Sequence, residues 1–232
     1  MKRSDVQGVV FDLDGTLCRY EVGIAEALAE SLALAGKPRE LFGPLEHVVA
    51  RIDRLWREYE AQRESAAAIC FRTFETLLRE AGSPSNVLAS TLSGTYSSIR
   101  LASVALYPGT RESLADLRPR YRLGLLTNGP SDLQWSKIRR LSIESLFDAI
   151  IVAGDIGHYK PDARAFRWVA KQLELPSEQI MFVGDSLSAD IAGACAAGFY
   201  SAWIRSPEAE NIPETPADFV IDDLRQLRKV LL

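Results

Sequence analysis

Short apolar runs alternate with helical stretches along most of this chain. Val6–Phe11 is an apolar-rich run that stops abruptly at Asp12, and similar runs recur at Tyr121–Leu126, Ala149–Val152, Ile180–Val183 and Tyr200–Ile204, with a weaker one near Ala217–Ile221. Runs of this length, rich in β-branched residues and bounded by turn residues, predict buried parallel-type strands. Between them, Phe166, Val169, Ala170 and Leu173 share one helical face. A further helix is expected from near Leu187 to a C-cap at Gly198, with Gly193, Ala194, Ala196 and Ala197 allowing close approach to a sheet. The alternation predicts an α/β fold, a Rossmann-like parallel sheet core covered by helices on both faces.

The stretch from about residue 17 to 103 follows a different rhythm. Ile52, Leu55, Trp56 and Tyr59 recur at helical spacing, as do Cys70, Phe74, Leu77 and Leu78, and then Leu88, Leu92, Tyr96 and Ile99. Gly36-Lys37-Pro38 and Gly82-Ser83-Pro84 divide the segment, and no convincing strand interrupts it. Pro108-Gly109-Thr110 marks re-entry into the α/β part, with Thr110 expected to cap the helix holding Leu114 and Leu117. The pattern therefore predicts a core domain built from residues 1–16 and 104–232, and an inserted all-helical cap domain over 17–103.

A length of 232 residues suits one core with a smaller insert. The formal net charge of -4 offers no electrostatic footprint for nucleic acid or an anionic membrane. Arginines such as Arg54, Arg57 and Arg63 are interleaved with Glu58, Glu60 and Glu64, the pattern of a solvated helix face. Cys18, Cys70 and Cys195 are too scattered for a disulfide framework or a zinc site and suggest a reducing compartment. No apolar run reaches membrane-spanning length, and the apolar stretch near the N-terminus is too short for a signal peptide. The expectation is a cytoplasmic protein with no membrane or nucleic-acid partner, as a monomer or homodimer.

Four polar clusters fall at or just after strand ends, the edge of an open parallel sheet where ligands bind. In Asp12-Leu13-Asp14-Gly15-Thr16, two carboxylates at i and i+2 can supply a nucleophile and a proton-transfer group, or hold a hard divalent cation. In Thr127-Asn128-Gly129-Pro130-Ser131, a hydroxyl and backbone amides ahead of a helix can receive a phosphate oxygen, although these residues also make ordinary caps. Lys160-Pro161-Asp162 places a lysine before a helix, with Pro161 suited to the first helical position. Gly184-Asp185-Ser186 through Asp190 brings a strand-end acid and a second acid in the first turns of a helix. Together these put at least three acids, a lysine and a hydroxyl on one edge, a repulsive arrangement unless a cation or the lysine offsets it.

In order, DLDGT, LTNG, KPD and GDSLSAD resemble the four motifs of the haloacid dehalogenase-like superfamily, and the helical insert resembles its helical cap. The resemblance implies a small-molecule phosphatase in which Asp12 attacks phosphorus and Asp14 acts as general acid/base. Thr127 would bind the phosphoryl group, with Asn128 and Gly129 beside it, and Lys160 would pair with Asp12. It also implies Mg²⁺ held by Asp12, the Asp14 backbone carbonyl and Asp185, with Ser186 and Asp190 in support. Only His47 and His158 are available as imidazoles, so oxygen ligands suit magnesium better than zinc.

Three alternatives remain open at this level: a phosphosugar mutase, a 2-haloacid dehalogenase, and a non-catalytic binder of phosphorylated metabolites. The dehalogenase branch typically lacks an acid at the position of Asp14, because a halide leaves without a proton. Substrate selection is expected in the cap and its linkers, with Arg19 and Tyr20 as candidate substrate contacts. The identity of the phosphorylated substrate is not written in these motifs.

Overall fold

The computed structural model describes residues 5–205 and 215–231. The chain divides into two compact units, one comprising residues 1–19, 106–129 and 138–232, the other residues 20–105 and 130–137.

The first unit is built on a six-stranded sheet. Its strands are β1 (Gly8–Phe11), β4 (Arg122–Thr127), β5 (Ala149–Val152), β6 (Ile180–Gly184), β7 (Tyr200–Ile204) and β8 (Phe219–Ile221), in the order β5-β4-β1-β6-β7-β8. Every neighbouring pair is parallel. All four residues of β1 are buried, which is why the strand reads as a continuous apolar run rather than an alternation. Phe11 lies opposite Leu125 of β4 and Val183 of β6, so Asp12, Thr127 and Asp185 emerge together at one edge.

Helices α5 (Thr110–Leu117), α6 (Ser131–Leu141), α7 (Ala153–Ile156), α8 (Ala163–Leu173), α9 (Ala192–Ala197) and α10 (Leu227–Leu231) follow in chain order, after four helices of the second unit. The face of α8 carrying Phe166, Val169 and Leu173 is fully buried against Val10, Leu126 and Phe182. Phe166 meets Phe182 edge-on at 5.0 Å between ring centres and Phe199 at 5.7 Å. Burying such a ring contributes roughly 1.5–3 kcal/mol. Gly124 lets α8 approach β4, since a Cβ there would stand only 3.0 Å from Val10 and Val169 side-chain atoms.

The second unit packs α1 (Ile24–Leu34), α2 (Leu45–Glu60), α3 (Ala66–Glu80) and α4 (Asn86–Ala102) around Leu28, Ile52, Leu55, Ile69, Phe74 and Leu92. Ser65 and Ser85 cap α3 and α4, accepting from the amides of Ala68 and Leu88. The turns at Gly36 and Gly82 have φ of 63° and 67°, as the glycine signals lead one to expect. Residues 130–137 join this unit because Asp132 accepts from the free amides of Ala66 and Ala67 at 2.9 and 3.2 Å, at the start of α3.

Four local expectations are corrected. The stretch from 17 to 103 is not free of strands: β2 (Cys18–Tyr20) pairs with β3 (Val104–Leu106) in a two-stranded sheet. Three residues are too few to show a period, so the pattern hides them. Thr110 does not cap α5; Gly109 precedes the helix with φ of 81°, and the Thr110 hydroxyl donates to the Leu17 carbonyl at 3.3 Å. Pro161 is not the first helical residue, because Asp162 is the cap of α8, accepting from the Arg164 amide at 2.9 Å. Finally, the helix expected from Leu187 opens as a wide π turn over Leu187–Ile191 before α9, and this turn carries Asp190.

Candidate active site

Each acidic and cationic group of the site stands on the end of a buried strand or beside one. Asp12 follows β1 directly, its amide donating to the Val183 carbonyl at 2.9 Å. Its carboxylate accepts from the Lys160 ammonium at 2.6 Å, and the same ammonium lies 2.7 Å from an Asp190 oxygen. All three side chains are almost wholly shielded from solvent. The other Asp190 oxygen accepts from the Ser186 amide at 3.0 Å. Gly184 makes room for this carboxylate, since a Cβ there would lie 2.4 Å from an Asp190 oxygen.

Lys160 is itself held from behind. The Asn128 side chain accepts from the Lys160 amide at 2.8 Å and donates to the Lys160 carbonyl at 3.0 Å. The Asn128 side chain therefore positions the lysine main chain from both sides of one residue. Thr127 closes β4, buried, with its hydroxyl donating to the Asn128 carbonyl at 3.2 Å. Gly129 turns the chain with φ of 120°, a conformation that favours glycine.

Asp185 follows β6 on the same edge. The Thr16 hydroxyl donates to its carboxylate at 3.5 Å, and Gly15, with φ of 86°, faces it so closely that a Cβ would sit 2.3 Å from a carboxylate oxygen. Asp14 is half-buried, and the buried Cys18 thiol lies 3.9 Å from one of its oxygens. Ser186 accepts from the Ala189 amide at 3.1 Å and so caps the π turn.

The electrostatics are unbalanced. Burial pushes the Asp12 carboxyl up to about 7 against the pull of Lys160, and Asp190 adds to the rise. Burial opposes the charge on Lys160, yet Asp12 and Asp190 together hold its ammonium above the usual lysine range. Asp185 is raised as well, first by burial and then by Asp190. Two buried acids thus flank one lysine, with the more exposed Asp185 beside them. Oxygens of Asp12, Asp185 and Asp190 lie within 4.8 Å of one another, a spacing and donor chemistry that fit a hard divalent cation.

Of the residues singled out from sequence, Asp12, Lys160, Asp185 and Asp190 are brought into this one group, with Thr127 at the end of β4 and Asp14, Asn128, Gly129 and Ser186 on the adjoining loops. Asp190 is more central than a nearby support, being an ion-pair partner of the lysine. Arg19 lies over the ring of Tyr107, 5.5 Å from its centre. Tyr20 belongs to the helical unit, where Arg100 and Lys137 stand 3.7 and 4.8 Å from its ring centre. His158 stands 3.7 Å from Asp162, beside the cap of α8. Sequence reasoning passed over Tyr107, whose phenol is raised by burial and by Asp185. It also passed over the positioning role of the Asn128 side chain, for which no local signal exists.

Comparison with known proteins shows the family to which the chain belongs. The family model for haloacid dehalogenase-like hydrolases matches residues 6–198. A glyceraldehyde 3-phosphate phosphatase of Methanopyrus kandleri is 30% identical over 97% of both chains. The magnesium-bound structure of a HAD-hydrolase of Bacillus subtilis, YfnB, superposes with a TM-score of 0.73 at 26% identity, covering 97% of this chain and 98% of that one. A 2-haloacid dehalogenase of Pseudomonas syringae superposes with a TM-score of 0.70 at 29% identity over the same shares.

Proposed function

This chain belongs to the haloacid dehalogenase-like hydrolases, and from that premise we propose that it is a magnesium-dependent phosphatase acting on a small phosphomonoester through an aspartyl-phosphate. The observation that carries the reading is the buried Asp12 carboxylate, held at 2.6 Å by Lys160 among more acids than the lysine can neutralise. A phosphatase named for a small phosphorylated sugar among the relatives supports it, as does the magnesium-bound neighbour.

In this reading Asp12 attacks phosphorus in line with the leaving oxygen. The phosphorus–oxygen ester bond breaks as Asp14 gives its proton to that oxygen. Asp14, now a carboxylate, takes a proton from water, which attacks phosphorus and breaks the bond to Asp12. Thr127 and the Asn128 backbone N–H hold phosphoryl oxygens, and Lys160 cancels charge on Asp12 and on the phosphoryl group. Asp12, Asp185 and the Asp14 backbone carbonyl would hold the magnesium, which when bound neutralises the repulsion between a carboxylate nucleophile and a phosphate dianion. Ser186 and Asp190 shape the loop that carries Asp185. Arg19, an exposed cation held against Tyr107, is the residue we assign to an anionic leaving group.

The Pseudomonas neighbour keeps a second reading in view, hydrolysis of a 2-haloacid. That chemistry uses the same nucleophile but needs neither a cation nor an acid for a halide. Asp14 and the convergence of Asp12 with Asp185 and Asp190 favour the phosphate ester.

The two are separated by a panel of phosphomonoesters and 2-chloropropionate, each assayed with Mg²⁺ and with chelator. Phosphate release that requires Mg²⁺, without chloride release, is the expected result; chloride release indifferent to chelator would overturn the assignment. The same protein should bind Mg²⁺ more weakly as pH falls below about 7. Protons compete for the Asp12 carboxyl there, so affinity should drop by up to about tenfold per pH unit. Calorimetric titration at pH 6 and pH 8 checks the slope.

A further inference from the structure

The peptide unit linking Asp185 to Ser186 is tied at both ends. Its N–H, on Ser186, donates to Asp190 at 3.0 Å. Its carbonyl, on Asp185, accepts from the indole N–H of Trp203 at 2.8 Å. Trp203 sits on β7 opposite Gly184, the residue before Asp185, and is 6% exposed. An indole N–H is a donor only and a buried one needs a partner. Here the partner is the main chain of the one acid of the cluster that is exposed rather than buried.

We propose that Trp203 is a positioning residue for the cation site. Asp190 and Trp203 clamp the Asp185–Ser186 peptide plane from opposite ends, which fixes the direction in which the Asp185 side chain leaves the backbone. Thr16 and Gly15 then confine the carboxylate itself. Without the indole bond the carbonyl is free to rotate toward solvent, and the Asp185 oxygens lose their convergence with those of Asp12. Groups of this kind, one bond removed from a ligand, typically change metal affinity by about 10–100-fold when removed. The inference rests on the cation-dependent reading above but concerns a residue outside the four motifs that carry it.

The test replaces Trp203 by 3-benzothienylalanine, which keeps the shape of the indole and puts sulfur where the N–H was. Mg²⁺ binding is measured by calorimetry without substrate, alongside thermal unfolding. Trp203→Phe is the fallback variant, and Asp185→Asn is the control for loss of a cation ligand. The expected result is at least about a tenfold weaker Mg²⁺ affinity with little change in melting temperature. Unchanged Mg²⁺ affinity in the benzothienyl protein would overturn the role of Trp203 and leave the phosphatase reading standing. A lower melting temperature with unchanged affinity would make Trp203 a packing residue and overturn the role equally. If the parent protein binds Mg²⁺ no better than Asp185→Asn, the cation-dependent reading itself falls, and the role of Trp203 with it.

Discussion

Asp12→Asn should reduce phosphate release by on the order of 10⁴-fold or more, the scale seen when a group that forms bonds in the reaction is removed. Its effect on stability should have the opposite sign. Asparagine keeps the shape of aspartate, and Lys160 keeps Asp190 as its partner at 2.7 Å. The substitution removes one of three acids from a pocket where burial has already pushed Asp12 up to about 7. Denaturant unfolding of the variant should therefore show stability equal to or above that of the parent, the usual sign of a site strained for function. Loss of activity with a large loss of stability would instead make Asp12 a structural residue whose removal damages the fold.

Lys160→Met should have the largest effect on stability. Methionine replaces much of the lysine stem, so the change removes charge more than volume. It leaves Asp12 and Asp190 buried with no ammonium between them, and breaking a buried pair in this way costs roughly 3–5 kcal/mol. The pH dependence follows from the sign of the shift. Without Lys160 the Asp12 carboxyl rises further above its unfolded value, so folding takes up a proton, and the loss grows as pH rises toward the new folded value. Urea unfolding should show a larger deficit at pH 8 than at pH 6, and Asp190→Asn in the Lys160→Met background should recover part of it. A deficit independent of pH would mean that packing, not charge, is what Lys160 supplies.

Much of the fold is legible because the sheet is buried on both faces. Val9, Val10 and Phe11, or Met181, Phe182 and Val183, must all be apolar, so each strand announces itself as a run. The acids that end those runs announce the site in the same way, because nothing in a buried strand prepares for Asp12 or Asp185 except function. What stays hidden is either short or non-local. The three-residue strands β2 and β3 carry no period. The capture of residues 130–137 by the helical unit depends on Asp132 meeting amides that are 65 and 66 positions away in sequence. Likewise, Asn128 reaches the Lys160 backbone and Trp203 reaches Asp185 across gaps that no local pattern bridges. Asp190 was visible as an acid near a helix start, but only the π turn explains why it faces the lysine instead of solvent.

In the proposed reading, Asp14 decides the choice of chemistry. Asp12 alone is compatible with attack on carbon or on phosphorus, since both need an unprotonated carboxylate beside Lys160. A second acid two residues along, Asp14, would add a proton donor for an alkoxide. The gathering of Asp12, Asp185 and Asp190 adds excess negative charge that a cation relieves. Both additions are needed for a phosphate ester and idle for a haloacid.

The most direct test of that claim is to look for phosphorus on Asp12. Asp14→Asn protein, which lacks the group proposed to prepare water, is mixed with p-nitrophenyl phosphate and Mg²⁺, quenched in acid, digested and analysed by mass spectrometry. A phosphoryl adduct should appear on the peptide containing Asp12, should need Mg²⁺, and should vanish when Asp12→Asn is added to the variant. An unmodified Asp12 peptide, at a point when the parent protein releases phosphate from the same ester, would contradict the account.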